Sequence, residues 1–267
     1  MSDDPPLLAF EGLHHRWGDQ VLYEGLDLEL HRGETLALIG RSGTGKSVLL
    51  KMALRLLVPD QGSIVAFGQE VTERTERSMF DLRQRIGMMF QNYALLDSLT
   101  VFDNVAWPLR IAGWIDRERI RERVAETLGM VNLPGTEDKK PAELSGGMKK
   151  RVSLARAIVT RPEILLYDGP TTGLDPANAK RVDAIMVRLK EDGVTAMLVT
   201  HDLRSIELCA DRVAMLHDRR ICWAGPTESL ASESPQVVRD FLTGNFKRYY
   251  DPDRVAAAAG RFTAEKG

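Results

Sequence analysis

The stretch "TLALIGRSGTGKSVLLKMALRLL", Thr35 to Leu57, decides the fold. It reads as a short apolar strand, "TLALI", then a glycine-rich loop, then an amphipathic helix opening at Lys46. "GRSGTGKS" (Gly40 to Ser47) has the G-x-x-x-x-G-K-S spacing of a phosphate-binding loop in the context such a loop requires. The glycines let successive backbone N–H groups converge on phosphate oxygens, and the helix N-terminus adds a partial positive charge. Lys46 would reach the β- and γ-phosphates of a nucleotide, and the Ser47 hydroxyl would ligate Mg²⁺. A mere glycine-rich turn gives no reason for Lys-Ser to stand at the helix start. The expected phosphate site is therefore Gly40, Arg41, Ser42, Gly43, Thr44, Gly45, Lys46, Ser47 and the following Val48.

Outward from this loop, short apolar runs alternate with helical patterns, which favours a largely parallel sheet covered by helices. "LLAFEGL", "LDLEL", "TLALIG" and "SIVAFG" supply strands in the N-terminal part, the first two in an antiparallel portion. "IGMMFQ", "ILLYD", "TAMLVT" and "RVAMLH" follow later. Between Gln91 and Pro162 the pattern turns helical, with "VFDNVAWPLRIAG", "DRERIRERVAETLGM" and "GGMKKRVSLARAIVTRP". This block reads as a helical subdomain, about 92–159, inserted into an α/β core of about 7–91 and 160–235. The alternating charges of "RERIRERVAE" read as a solvated helix face. Residues 236–267 hold a further helix, "QVVRDFLTG", and an aromatic and Ala-rich tail.

Three further strand ends carry chemistry. Asp168 closes "ILLYD", where its carboxylate would hold the same magnesium through water. His201 follows "TAMLVT" on the same edge, and ligands of open α/β sheets gather outside the carboxyl ends of strands, so His201 reads as a γ-phosphate contact. Gln91, ending "IGMMFQ", would offer its amide oxygen to the metal or to the attacking water, although an ordinary loop glutamine fits its spacing equally. The residue after Asp168 is usually a second carboxylate where such a strand ends beside a nucleotide; here it is Gly169. In "LSGGMKKR", Ser145 caps a helix whose first residues are Gly146 and Gly147, a second exposed cluster of N–H donors.

Composition sets the outer bounds. The 267 residues are 43% apolar and 28% charged, ordinary for a globular chain. A formal charge of −2 supplies no basic excess for non-specific nucleic-acid binding. Cys209 and Cys222 lack metal-ligand spacing and read as packed thiols in a reducing cytosol. The acidic start "MSDDPPLLAF" lacks the basic and apolar regions of a signal peptide, and no long apolar run is present. The expected location is the cytoplasm, with membrane contact only through a partner.

Taken in order, "GRSGTGKS", "FQ", "LSGGM", "LLYDGP", "TGLD" and "VTHD" resemble the nucleotide-binding subunits of ABC transporters over nearly all of residues 7–235. The resemblance implies a P-loop NTPase (RecA-like) core with an antiparallel β portion and an inserted helical signature subdomain. It also implies ATP and Mg²⁺ as cofactors. In that family the signature serine and glycines of one subunit complete the ATP site of the other, which implies a head-to-tail pair of copies of this chain. Carried over by position, Trp17 matches the aromatic that stacks on adenine, Asp175 matches the acid of an interface loop, and Gly169 stands where the family has a glutamate. Within the family, "GRSGTGKSVLLK", "FQNYALLDSLTVFDNVAWPLR", and "LSGGMKKR" with Met148 in place of Gln are similar to the MlaF-type ATPases of MCE-linked lipid transporters, as is "VVRDFLTG". That narrower resemblance implies phospholipid as substrate class, an MlaE-like permease and an MCE-domain protein as partners, and a place on the inner face of the cytoplasmic membrane. The competing readings are an importer ATPase for small polar solutes, a soluble ABC-type protein outside transport, and a nucleotide-gated clamp that does not hydrolyse.

Overall fold

The Thr35–Ile39 strand is buried at every position and lies inside a sheet, flanked on both sides. The computed structural model describes residues 4–244; the tail expected beyond them lies outside the described residues. In chain order the strands are β1 (Leu8–Trp17), β2 (Gln20–Leu30), β3 (Thr35–Ile39), β4 (Gln61–Ala66), β5 (Gln69–Glu70), β6 (Ile86–Met89), β7 (Ile164–Asp168), β8 (Thr195–Val199), β9 (Arg212–His217) and β10 (Arg220–Pro226). The helices are α1 (Lys46–Ala53), α2 (Phe80–Gln84), α3 (Val101–Ile111), α4 (Arg117–Met130), α5 (Gly146–Ile158), α6 (Pro176–Glu191), α7 (Leu203–Cys209) and α8 (Gln236–Leu242).

Two sheets result. A six-stranded sheet runs β10-β9-β3-β8-β7-β6, parallel except for the antiparallel edge strand β10. A four-stranded antiparallel sheet runs β2-β1-β4-β5. In the first, β3, β7 and β8 are buried throughout, as parallel strands covered on both faces must be. One apolar cluster joins the antiparallel sheet and α1 to one face of the parallel sheet. A second packs α3, α4, α5 and α6 against the other face. The helical insertion enters between β6 and β7, which still pair in parallel, so the sheet continues past it. This is the P-loop NTPase core, with an antiparallel portion and an inserted helical part.

Several local expectations change. "SIVAFG" forms β4, which pairs antiparallel with β1 and so joins the antiparallel sheet. The helix expected through Leu57 stops at Ala53, because Arg55 turns left-handed at φ 51° and the chain closes back with Leu56 N–H donating to Lys51 O. Arg83, from α2, donates to the freed Leu54 carbonyl at 2.9 Å. Cys209 is buried as expected, but Cys222 lies exposed on edge strand β10. The solvated face of α4 is also incomplete. Arg123 is buried, and its guanidinium donates to the carbonyls of Val159 (2.7 Å) and Ile158 (3.2 Å) at the end of α5.

Both carbonyls lie past the last helical donors, Ile158 O otherwise accepting only the Arg161 N–H at 2.9 Å, and a cation there also offsets the negative end of the helix dipole. Arg123→Met is therefore expected to cost about 1–3 kcal/mol, read as a lower urea midpoint. An unchanged midpoint would mean that the α5 terminus is satisfied without Arg123.

Candidate nucleotide-phosphate site

The C-terminal ends of β3, β8 and β7 are neighbours in the sheet, and a cleft of about 1030 Å³ opens over them. From β3 comes the glycine loop, from β7 Asp168 and Gly169, from β8 Thr200 and His201, and from beyond β6 Gln91; all of these line the cleft. Ser47 Oγ donates to Asp168 Oδ1 at 2.7 Å. Lys46 Nζ donates to the carbonyls of Gly40 and Arg41, each at 2.7 Å, so its ammonium lies folded over the loop that a triphosphate would occupy. Burial pulls the Lys46 ammonium down to about 8, opposed by the Asp168 charge. An arriving phosphate anion favours the charged form and would restore it.

The loop is supported from the antiparallel sheet. Tyr23 of β2 is fully buried and its hydroxyl donates to Gly45 O at 2.6 Å. Gly45 adopts φ 104°, and a Cβ there would lie 2.9 Å from the Tyr23 ring, so this position admits only glycine without displacing the ring. Gln20 Nε2 donates to Gly43 O at 3.3 Å. Arg41, Ser42, Gly43 and Val48 also face the cleft, whereas Thr44 faces an adjoining cavity and its hydroxyl donates to Arg41 O at 2.9 Å.

The oxygens gathered here suit one ion. A serine hydroxyl, a single carboxylate and the Gln91 amide are hard donors, and among the described residues no cluster of three His, Cys, Asp or Glu could cage a metal. Mg²⁺ is held this way, by one or two protein oxygens with phosphates and water completing its octahedron.

Gly169 sits in the left-handed region at φ 57°. A Cβ there would meet Thr172 Oγ1 at 2.8 Å and Gln91 Cγ at 3.6 Å, so the Thr172 hydroxyl crowds the space where a longer side chain would begin. Burial, then the nearby Lys46 charge, lower the His201 imidazole. Phe241 of α8 lies beside it with ring centroids 6.3 Å apart. Trp17 is 55% exposed at the cleft mouth, in a T-shaped contact with His15 at 6.5 Å, so it is not packed into the core.

Ser145, Gly146, Gly147, Met148 and Asp175 lie outside the cleft lining. Ser145 caps α5, its Oγ accepting from Met148 N–H at 3.3 Å, and both Ser145 and Gly146 are exposed. Asp175 caps α6, accepting from Ala177 N–H (3.0 Å), Asn178 N–H (2.9 Å) and Asn178 Nδ2 (2.6 Å). The Asn178 side chain in turn fills the space beside Gly147, where a Cβ would approach it to 2.6 Å. The signature helix and the Asp175 turn are thus packed as one surface.

Sequence reasoning missed Tyr23, Thr172 and Lys150. Lys150 is 1% exposed and donates to Gln91 O (2.7 Å) and Gly169 O (2.9 Å). Its place after "LSGGM" marked it only as one charge in a basic run; the contacts are with residues far away in sequence. Burial lowers its ammonium to about 8, with Asp168 opposing.

A family model described as ABC transporter matches residues 23–172. The intermembrane phospholipid transport ATP-binding protein MlaF of Haemophilus influenzae is 36% identical over 239 residues, 89% of this chain and 90% of its own. The probable ribonucleotide transport ATP-binding protein mkl of Mycobacterium tuberculosis is 38% identical over 89% of this chain, which spans 66% of that relative's length. The methionine import protein MetN of Carboxydothermus hydrogenoformans is 42% identical, over 88% of this chain and 70% of its own. Among solved structures, the dimeric ATP-binding cassette MJ0796 in a post-hydrolysis state with ADP and Pi superposes with a TM-score of 0.77 at 28% identity, over 82% of this chain and 98% of that one. This chain belongs to the ABC transporter family, as an ATP-binding subunit that resembles the MlaF-type ATPases.

Proposed function

We propose that two copies of this chain close head to tail around two ATP·Mg²⁺ and pass that closure to a membrane permease that moves phospholipid. The observation that carries this reading is the division of the site. Lys46, Ser47 and Asp168 meet in one cleft, while the exposed N–H cluster at Ser145 and Gly146 faces elsewhere. A second copy would bring that cluster to the open side of the triphosphate, where helix N–H donors stabilise anionic oxygen. ATP then favours the closed pair over the open one, which is the source of the coupling free energy.

Within the site, Lys46 would pair with the terminal phosphates, and Ser47, Asp168 and Gln91 would hold Mg²⁺, which supplies charge neutralisation between the phosphates. His201 would contact the γ-phosphate, and Trp17 would stack on the base. Phosphoryl transfer draws most of its acceleration from such positioning and charge. Gly169 offers no carboxylate to orient water, so turnover would be slow while ATP binding stays intact.

The permease face is an apolar cleft of about 560 Å³ beside the Gln91 loop, lined by Leu56, Phe80, Leu96, Trp107 and Ile111. Those side chains are exposed, whereas Leu95 packs against the helical part and Leu99 is half-buried, so only part of "ALLDSLTVF" is free to dock. Apolar patches of this kind mark partner sites. No helix among the described residues is long and apolar enough to cross a membrane; docked on the proposed permease, the chain would sit on the cytoplasmic face. The MlaF relative and the Met148 signature support phospholipid and MlaE-like and MCE-domain partners. The MetN relatives favour a second reading, import of a polar solute such as methionine.

Gly169→Glu is expected to raise phosphate release at least about tenfold in the assembled complex, within the 10²–10⁴-fold range of general base catalysis. It is also expected to lose about 1–2 kcal/mol of stability for a side chain in the left-handed region. A native form that already turns over as fast as the Glu form would show that another group orients the water. In the purified native complex, ATP turnover should respond to phospholipid in the membrane. A complex that responds to methionine and is indifferent to lipid would favour the importer reading.

A further inference from the structure

Helix α5 does more than present its N-terminus. Along one face, at a spacing of three residues, Lys150, Ser153 and Arg156 reach the loop that follows β6. Lys150 Nζ donates to Gln91 O at 2.7 Å, Ser153 Oγ to Tyr93 O at 2.8 Å, and Arg156 to the carbonyls of Tyr93 and Ala94. That loop is strained, with Tyr93 at φ 59° and Ala94 at φ 50°, conformations that persist only where surrounding contacts impose them. Lys150 alone also reaches the other wall of the phosphate cleft, donating to Gly169 O at 2.9 Å in a buried setting. Its ammonium lies 5.2 Å from the Tyr93 ring centroid, so two carbonyls and a ring face engage this buried cation.

We propose that Lys150 is the positioning residue that makes the signature helix, the Gln91 loop and the Gly169 turn move as one body when ATP binds. The inference rests on the composite-site reading above and deepens it. A second copy settling on Ser145 and Gly146 would press on α5, and the ammonium would carry that displacement to the backbone of Gln91 and Gly169, on either side of Asp168 and the metal position. The reverse path is equally open, because coupling between two sites is reciprocal. Lys150 does not itself line the cleft, so it acts through the two carbonyls it holds, those of the lining residues Gln91 and Gly169. Arginine at this position keeps several N–H donors, whereas methionine keeps the length of the chain and none of them.

The test uses the full chain with ATP·Mg²⁺ and two separate readouts, ATP affinity of dilute protein and ATP-driven self-association by light scattering. For Lys150→Met the expected ATP affinity is within about twofold of the native value, because the glycine loop is untouched, while half-maximal self-association needs at least about tenfold more ATP, the scale of a lost charged hydrogen bond. Lys150→Arg should return within about threefold of native. Self-association of Lys150→Met at the native ATP concentration would overturn the proposal, as would equal losses in affinity and self-association, which would indicate general damage. Should Lys150→Met fail to fold, hydrogen exchange on the native chain decides. ATP must change exchange at residues 91–94 and at residues 146–150 together, and a change at the loop with none in α5 would overturn it. A native chain that binds ATP without self-associating would contradict the composite site rather than this tether.

Discussion

The hydrogen bond from Ser47 Oγ to Asp168 Oδ1, 2.7 Å long, joins the first turn of α1 to the end of β7 across the intervening strand β8. It fixes the distance between the two oxygens proposed to hold magnesium beside the phosphates. Everything beneath it serves that distance. Parallel β3, β8 and β7 set the lateral spacing, their full burial sets the height of their ends, and Tyr23 pins the loop from the antiparallel sheet. A buried carboxylate is costly to leave without its hydrogen-bond donor, so loss of the Ser47 hydroxyl would be felt at this edge.

The second constraint is the proposed division of the site between two copies. Helix N-termini bind anions only where the N–H groups face open space, and the α5 N-terminus faces away from the cleft of its own chain. On that proposal closure depends on how α5 is held, and Lys150, Ser153 and Arg156 hold it to the Gln91 loop while Arg123 holds its far end. With Gly169 in place of a carboxylate, the proposed chemistry would lean further on this positioning.

The glycine loop, the places of Asp168 and His201 at strand ends beside one cleft, and the Ser145 cap were legible in the sequence because each is local: a few adjacent residues fix the backbone shape. The same holds for β3, β7 and β8, whose continuous apolar runs require burial on both faces. What was not legible depends on distant partners. Helix α1 stops at Ala53 because Arg55 turns and Arg83 donates to the loose Leu54 carbonyl, and neither is marked by a glycine or proline. Strand β10, "RICWAGP", alternates half-buried and exposed residues as an edge strand does, and carries no strong apolar signal. Tyr23 looks like any strand aromatic, and Lys150 like any signature-helix charge, until the fold brings Gly45, Gln91 and Gly169 to them.

The most direct measurement is a crystal structure of the full chain with ATP and Mg²⁺, using the native Gly169 to retain the nucleotide. The expected result is a triphosphate on the Gly40–Ser47 loop, magnesium shared by Ser47 and Asp168, and the Ser145–Gly147 turn of a second copy closing each site. A triphosphate bound with no second copy against it, or an ion held away from Ser47 and Asp168, would contradict the composite site.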